Sequence, residues 1–137
     1  MYLLDTNVVS ELRKGARANR GLRTWFEDQA DEHLYLSVLV LGELRRGIES
    51  VRRRDEKGAK ALESWLHQLI HIHEDRVLPV TAEIANAWGR MNVPDPLPVI
   101  DSLLAATAHV YGLTVVSRNT RDLSRTGVAI LNPFTAG

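Results

Sequence analysis

The hydrophobic positions of this chain switch repeatedly between short continuous runs and spacings of three and four, the pattern of strands alternating with helices. Tyr2-Leu3-Leu4 is a short apolar run ending on Asp5-Thr6-Asn7, and helix signals follow from Val8 to Lys14 until Gly15 stops them. Leu22, Trp25 and Phe26 form an i, i+3, i+4 face of a second helix. Leu34-Tyr35-Leu36 reads as the next strand, and Ser37 suits the N-cap of a helix running through Glu43 to about Val51. Leu62, Trp65, Leu66, Leu69 and Ile70 mark a further amphipathic helix. Arg76 to Val80 reads as a strand, and Pro79 places it at an edge or an end. Thr81 can cap a helix carrying Ile84, Ala87, Trp88 and Met91. Pro94, Pro96 and Pro98 require a loop. Ile100, Leu103, Leu104, Thr107, Ala108 and Tyr111 then predict a helix ended by Gly112. Val115-Val116 and Ala129-Ile130-Leu131 complete about five strands. The expected fold class is α/β, a sandwich with a mainly parallel sheet flanked by helices.

Composition narrows the picture. A chain of 137 residues fits one domain, 1–137, with a core sufficient to fold without disulfides. With no cysteine, a disulfide scaffold, thiolate metal sites and a cysteine nucleophile are excluded. The sequence shows no leader-like start and no run of about 18 apolar residues, so no membrane role and a cytoplasmic location are expected. The 17 basic and 17 acidic residues balance, which argues against a uniformly basic nucleic-acid reader. Between Leu44 and Lys60, however, seven basic residues (Arg45, Arg46, Arg52, Arg53, Arg54, Lys57, Lys60) face three acids. That stretch is either a solvated helix face or a phosphate-binding rim.

Ligand sites of open parallel sheets lie at the carboxyl ends of the strands. Asp5 closes the first expected strand, Asn119 and Asp122 follow the Val115-Val116 strand, Asp101 opens a helix and Glu43 lies in the helix after the second strand. Four acids from four parts of the chain could converge there. Crowded carboxylates repel, and a divalent cation relieves them. An all-oxygen set suits Mg²⁺, with Mn²⁺ able to substitute, and such an ion supports phosphodiester hydrolysis. Asp5 and Asp101 would equally serve as helix-start residues, and spacing alone does not separate the two roles.

Leu3-Leu4-Asp5-Thr6-Asn7-Val8-Val9-Ser10-Glu11 resembles the opening signature of the PIN-domain family. The segments 37–47, 101–108 and 116–123 resemble its later blocks in order, and Asn132-Pro133-Phe134 is similar to the close of FitB-type members. The resemblance covers nearly the whole chain and points to VapC-like or FitB-like toxins of type II toxin–antitoxin pairs. It implies a PIN-like three-layer sandwich and an Mg²⁺-dependent endoribonuclease. Asp5, Glu43 and Asp101 match family acids that hold metal and act in catalysis; Asp122 would share the fourth acid's role, since Asn119 stands where members commonly carry an acid. Thr6 and Asn7 would orient Asp5, with the Thr6 hydroxyl open to metal water or substrate, and Asn119 would support the acids or touch substrate. Arg45, Arg46, Arg118 and Arg121 are candidate RNA contacts. The implied partners are RNA, a VapB-like antitoxin protein that inserts a segment near the site, and a second copy of the chain; toxin–antitoxin hetero-oligomers follow, and DNA would be met only through the antitoxin.

The alternative is a PIN-like module without catalysis acting inside an antitoxin–DNA complex. An aspartyl phosphoacceptor fails, because the only lysines are Lys14, Lys57 and Lys60 and Asn7 stands where a phosphatase needs an acid. His67, His71 and His73 have conceivable metal spacing, but a solvated helix flank is the simpler reading, while His33 and His109 stand alone. Trp25, Trp65 and Trp88 lie on apolar faces and are expected in the core.

Overall fold

The computed structural model describes residues 1–135. Its strands are β1 (Tyr2–Leu4), β2 (Leu34–Ser37), β3 (Val77–Leu78), β4 (Thr114–Val116) and β5 (Ile130–Leu131). The helices are α1 (Thr6–Leu12), α2 (Arg20–Glu27), α3 (Val38–Arg52), α4 (Glu56–Ile72), α5 (Ala82–Met91), α6 (Val99–Tyr111) and α7 (Thr120–Ser124). All strands pair in parallel in the order β3-β2-β1-β4-β5. The chain thus builds outward from β1 through β2 to β3, then crosses back to place β4 on the other side of β1. Right-handed crossovers put the helices of the outward leg on one face and those of the return leg on the other. The packing agrees: α1 contacts α2 and α3, α3 pairs with α4, and α5 and α7 pack on α6.

Central strands buried on both faces need continuous apolar sequence. Leu3, Leu4, Leu34, Leu36, Val115 and Val116 supply it, and they join Val8, Leu22, Val40, Leu66, Leu104 and Leu123 in one core cluster. Trp25 and Trp65 pack partly buried against this cluster, Trp25 edge-on to Tyr2. Trp88 donates its indole N–H to Ser102 at 2.9 Å, tying α5 to the first turn of α6.

Some boundaries differ from the sequence pattern for identifiable reasons. Helix α1 begins at Thr6 rather than Val8, because Asp5 caps it by accepting from the Thr6 amide at 2.7 Å. Helix α4 starts six residues before its first apolar-periodic leucine, with Asp55 accepting from the Gly58 amide; of its opening turn only Ala59 is buried, and one small residue makes no hydrophobic period. Arg76 is not in a strand; it ends a single 3₁₀ turn and its Nε donates to the Leu34 carbonyl. The edge strand is only Val77–Leu78, with Pro79 just beyond it. The five-residue helix α7 is too short to show a period in the sequence.

Gly112 ends α6 at φ 67°, ψ 38° in the left-handed region, its amide bonded to the Ala108 carbonyl. A side chain is strained in that conformation, so Gly112→Ala is expected to destabilise the protein by about 1 kcal/mol. Urea unfolding measures this, and an unchanged midpoint would remove the constraint.

Candidate functional site

The sheet's direction of growth reverses between β1 and β4, and in parallel sheets the crevice at that point receives ligands. Leu4 is in register with Val116, so the residues that follow, Asp5 and Ser117, emerge side by side. The Asp5 amide donates to the Val116 carbonyl at 3.0 Å, continuing the ladder one step. Asp5 is 5% exposed, and both of its oxygens are engaged. Oδ1 caps α1; Oδ2 accepts from the Ser117 hydroxyl at 2.6 Å and from Asn7 Nδ2 at 3.2 Å. The capping and functional readings of Asp5 therefore coexist in one carboxylate.

Ser117, which the sequence pattern does not single out, is the organising hydroxyl of the crevice. It is fully buried, donates to Asp5, and accepts from Asn7 Nδ2 at 3.1 Å and from the Asn119 amide at 2.9 Å. Its signal is a small polar residue placed directly after an apolar strand that neighbours the acid-bearing one. Asn7 also accepts the Arg118 amide at 3.1 Å, which pins the loop after β4 to the first turn of α1.

Glu43 reaches the same region from α3, accepting the Thr6 hydroxyl at 2.6 Å. The Thr6 hydroxyl, expected to be open to water or substrate, is thus committed to Glu43, while the Thr6 amide serves Asp5. Arg46, largely exposed, approaches Glu43 at 3.9 Å. Asp101 stands in the first turn of α6, where a helix N-terminus favours an anion. Its Oδ2 accepts from Asn119 Nδ2 at 3.1 Å. Asp122 lies half-buried on α7, close enough for its charge to act on Asp101.

Burial raises the Asp101 carboxyl above its ordinary value, and the charges of Asp5, Asp122 and Glu43 raise it further, against the lowering effect of the Asn119 hydrogen bond. Three carboxylates thus act on a fourth across the crevice. Among the described residues, Arg46 is the one basic side chain within 4 Å of any of them. The charges of Asp5, Glu43 and Asp101 are held by neutral donors: the hydroxyls of Thr6 and Ser117, the amides of Asn7 and Asn119 and one backbone N–H. This donor set fits a hard divalent ion in chemistry. In spacing, no three His, Asp or Glu side chains among the described residues meet closely enough to enclose an ion as they stand. That suits an ion held by one or two carboxylates with water completing its shell better than an all-protein cage.

The other candidates fall elsewhere. Arg45 is engaged by Glu49 and by Glu63 of α4, at 3.1 and 2.6 Å, and Arg52 joins Glu49, Glu56 and Glu63. Much of the basic stretch therefore staples α3 to α4. Arg121 is exposed on α7, and Arg118 stacks on Phe134. The histidines do not converge: His71 is exposed beside Glu74, whereas His73, expected on a solvated flank, is buried with Nδ1 3.0 Å from the Leu69 carbonyl.

An all-parallel sheet with a reversal point, helices on both faces and an acid-lined crevice at the strand carboxyl ends defines an open α/β protein. The PIN-domain model matches residues 2–129, and the chain belongs to the PIN-domain family. It is 32% identical over 143 residues to the plasmid stability protein StbB of Pseudomonas syringae pv. tomato, covering 99% of this chain and 100% of that one. It is 30% identical to the VapC ribonuclease Y4jK of Sinorhizobium fredii, with 98% of each chain covered. It is also similar to toxin FitB of Neisseria gonorrhoeae, at 29% identity over 98% of this chain and 99% of that one. The crystal structure of FitAcB from that organism superposes with a TM-score of 0.88 at 29% identity, covering 97% of this chain and 98% of that chain.

Proposed function

We propose that this protein is a toxin with Mg²⁺-dependent endoribonuclease activity, hydrolysing RNA phosphodiester bonds and neutralised by a VapB-like antitoxin. The observation that carries the reading is the half-buried Asp101 carboxyl in the reversal crevice, raised first by burial and then by the charges of three other acids. Its full-length similarity to a protein named a VapC ribonuclease supports the choice of substrate.

Asp5 and Asp101 would hold the metal, with Glu43 and Asp122 completing its shell directly or through water; Mn²⁺ would substitute. When bound, the ion supplies a water of lowered pKa and offsets charge on the phosphate. The chain's own residues do the positioning. Ser117 and Asn7 hold Asp5 Oδ2 in one orientation, Thr6 holds Glu43, and Asn119 holds Asp101. Such support keeps ligand geometry near the productive one before substrate arrives.

A trough runs from this site between α1 and the α3–α4 hairpin. Thr6, Glu43, Leu44, Ile48 and Trp65 line it, and a second concavity of about 270 Å³ lies on the other side of Trp65 against Phe26 and Leu69. An inserted antitoxin segment would occupy this path and reach Glu43. Exposed Val93, Val99 and Tyr111 around α5 and α6 favour a second copy of the chain as a further partner, giving a homodimer within a toxin–antitoxin hetero-oligomer. DNA would be contacted only through the antitoxin. Among the described residues no helix is long and apolar enough to cross a membrane, in keeping with action in the cytoplasm.

The test is cleavage of structured RNAs by the antitoxin-free protein in Mg²⁺, in Mn²⁺ and in EDTA. Cutting in either metal and none in EDTA is expected. Folded protein that binds Mg²⁺ yet cuts none of the RNAs would favour a binding module inside the antitoxin complex instead.

A further inference from the structure

Four carboxylates repel a polyanion, and the chain as a whole carries no net positive charge to offset them. A ribonuclease built this way needs a cation fixed beside the acids and not already consumed by them. Arg45, Arg46, Arg52 and Arg76 each have a carboxylate within 4 Å. Arg118 has none among the described residues. Its charge does act on Glu11, whose oxygens already accept from Lys14 at 2.9 Å and from the Asn19 amide at 2.8 Å.

Arg118 is held by two contacts that leave its charge free. Its backbone N–H is bonded to Asn7, fixing the start of the side chain at the edge of the crevice. Its guanidinium carbon lies 4.1 Å from the centre of the Phe134 ring. A guanidinium stacked on a ring face keeps its edge N–H groups free of the ring, and those groups can grip a phosphate in two places.

The ring is itself carried on a built support. Phe134 packs against the core, and its amide is bonded to the Asn132 side chain at 3.0 Å. The next residue is fastened to α2: the Thr135 amide and hydroxyl donate to Asn19 Oδ1 at 3.0 and 3.2 Å, and Asn19 Nδ2 donates back to the Thr135 carbonyl at 2.9 Å. The same Asn19 oxygen caps α2 by accepting the Leu22 amide. Gly21 lets the strap lie this close, since a Cβ there would sit 2.6 Å from the Pro133 carbonyl oxygen.

We propose that the Asn132–Thr135 strap is a substrate-positioning element: Phe134 holds Arg118 flat at the crevice edge so that it anchors an RNA phosphate adjacent to the one at the acids. This rests on the ribonuclease reading and adds to it a binding subsite and the residue that shapes it. Arg118 touches substrate; Phe134 acts through Arg118.

The test compares the full chain with Arg118→Ala, Phe134→Leu, Phe134→Trp and the Arg118→Ala/Phe134→Leu double variant. Cleavage of a single-stranded RNA in Mg²⁺ is followed, with binding of the same RNA measured in EDTA across salt concentrations. Arg118→Ala is expected to raise KM about five- to tenfold with little change in kcat, as loss of uniform binding does. Its log–log salt slope should fall by about 0.7, the value of one phosphate contact on a single strand. Phe134→Leu should raise KM about two- to fivefold, the reach of an exposed cation–π contact. Phe134→Trp should restore the parent value, and the double variant should be no worse than Arg118→Ala. Thermal melts identify any variant that fails through unfolding, and the tryptophan variant keeps the question answerable in that case. Equal KM and salt slope in Arg118→Ala, or a Phe134→Leu effect that persists in full without Arg118, would overturn the subsite while leaving the nuclease reading intact. A parent protein that neither cuts nor binds RNA would overturn the reading beneath it.

Discussion

Asp101→Asn is expected to lower metal-dependent RNA cleavage by about a thousandfold or more, since a lost metal ligand forfeits several kcal/mol of transition-state stabilisation. The same substitution should make the metal-free protein more stable at pH 7. Burial, then the charges of Asp5, Asp122 and Glu43, hold this carboxyl above its ordinary value of 3.8, so the folded protein keeps the proton to higher pH than the unfolded chain does. A raised carboxyl of this kind favours folding below its ordinary value and loses that contribution as pH climbs through the raised value. At pH 7 the parent therefore carries the full repulsion. Asparagine removes the charge and can still accept the Asn119 hydrogen bond. A rise in Tm of roughly 3–5 °C is expected, as about 1 kcal/mol produces in a chain of this size. The difference should shrink as the pH approaches 4, and Mg²⁺ should raise the Tm of the parent more than that of the variant. Lost activity together with a lowered Tm at pH 7 would assign Asp101 to capping α6 instead of to a metal.

Ser117→Ala is the second large effect, because one hydroxyl serves three groups. Without it the buried Asp5 Oδ2 keeps only the 3.2 Å contact from Asn7, and the Asn119 amide and one Asn7 hydrogen lose their acceptor. Leaving buried polar groups short of partners costs about 1–3 kcal/mol of stability. Loosening a metal ligand's support costs about 10- to 100-fold in metal affinity or activity. Calorimetric titration with Mg²⁺ separates the two consequences, because a purely structural role would lower Tm without weakening the metal. Ser117→Thr, which retains the hydroxyl, should recover most of the affinity. Unchanged Mg²⁺ affinity in Ser117→Ala would dismiss Ser117 as a positioning residue.

Much of this architecture could be read from periodicity. The interior strands stand out because burial on both faces demands unbroken apolar runs, as in Leu34-Tyr35-Leu36 and Val115-Val116. The caps at Ser37 and Thr81 and the stop at Gly112 were legible because each answers a local backbone need. Helix α7 and the opening turn of α4 were not, because each buries a single residue, Leu123 and Ala59, and one position makes no period. The acids of the site could be named from their positions after strands and at helix starts, and the resemblance to PIN domains grouped them. Ser117 carries no such local signal, because its role depends on which strand lies beside β4.

The sequence by itself therefore determined the alternation of strands and helices, the absence of thiol chemistry, and the set of acids available to an oxygen-ligand site. Tertiary structure alone decided that Asp5 and Ser117, 112 residues apart, share a hydrogen bond, that the Thr6 hydroxyl is committed to Glu43, and that Phe134 lies beneath Arg118. The reason is physical. Hydrophobic period reports which side of an element is buried, a property of neighbours along the chain. Which elements then meet is set by the return of the chain from β3 across β1 to β4, and that path leaves no trace in local sequence.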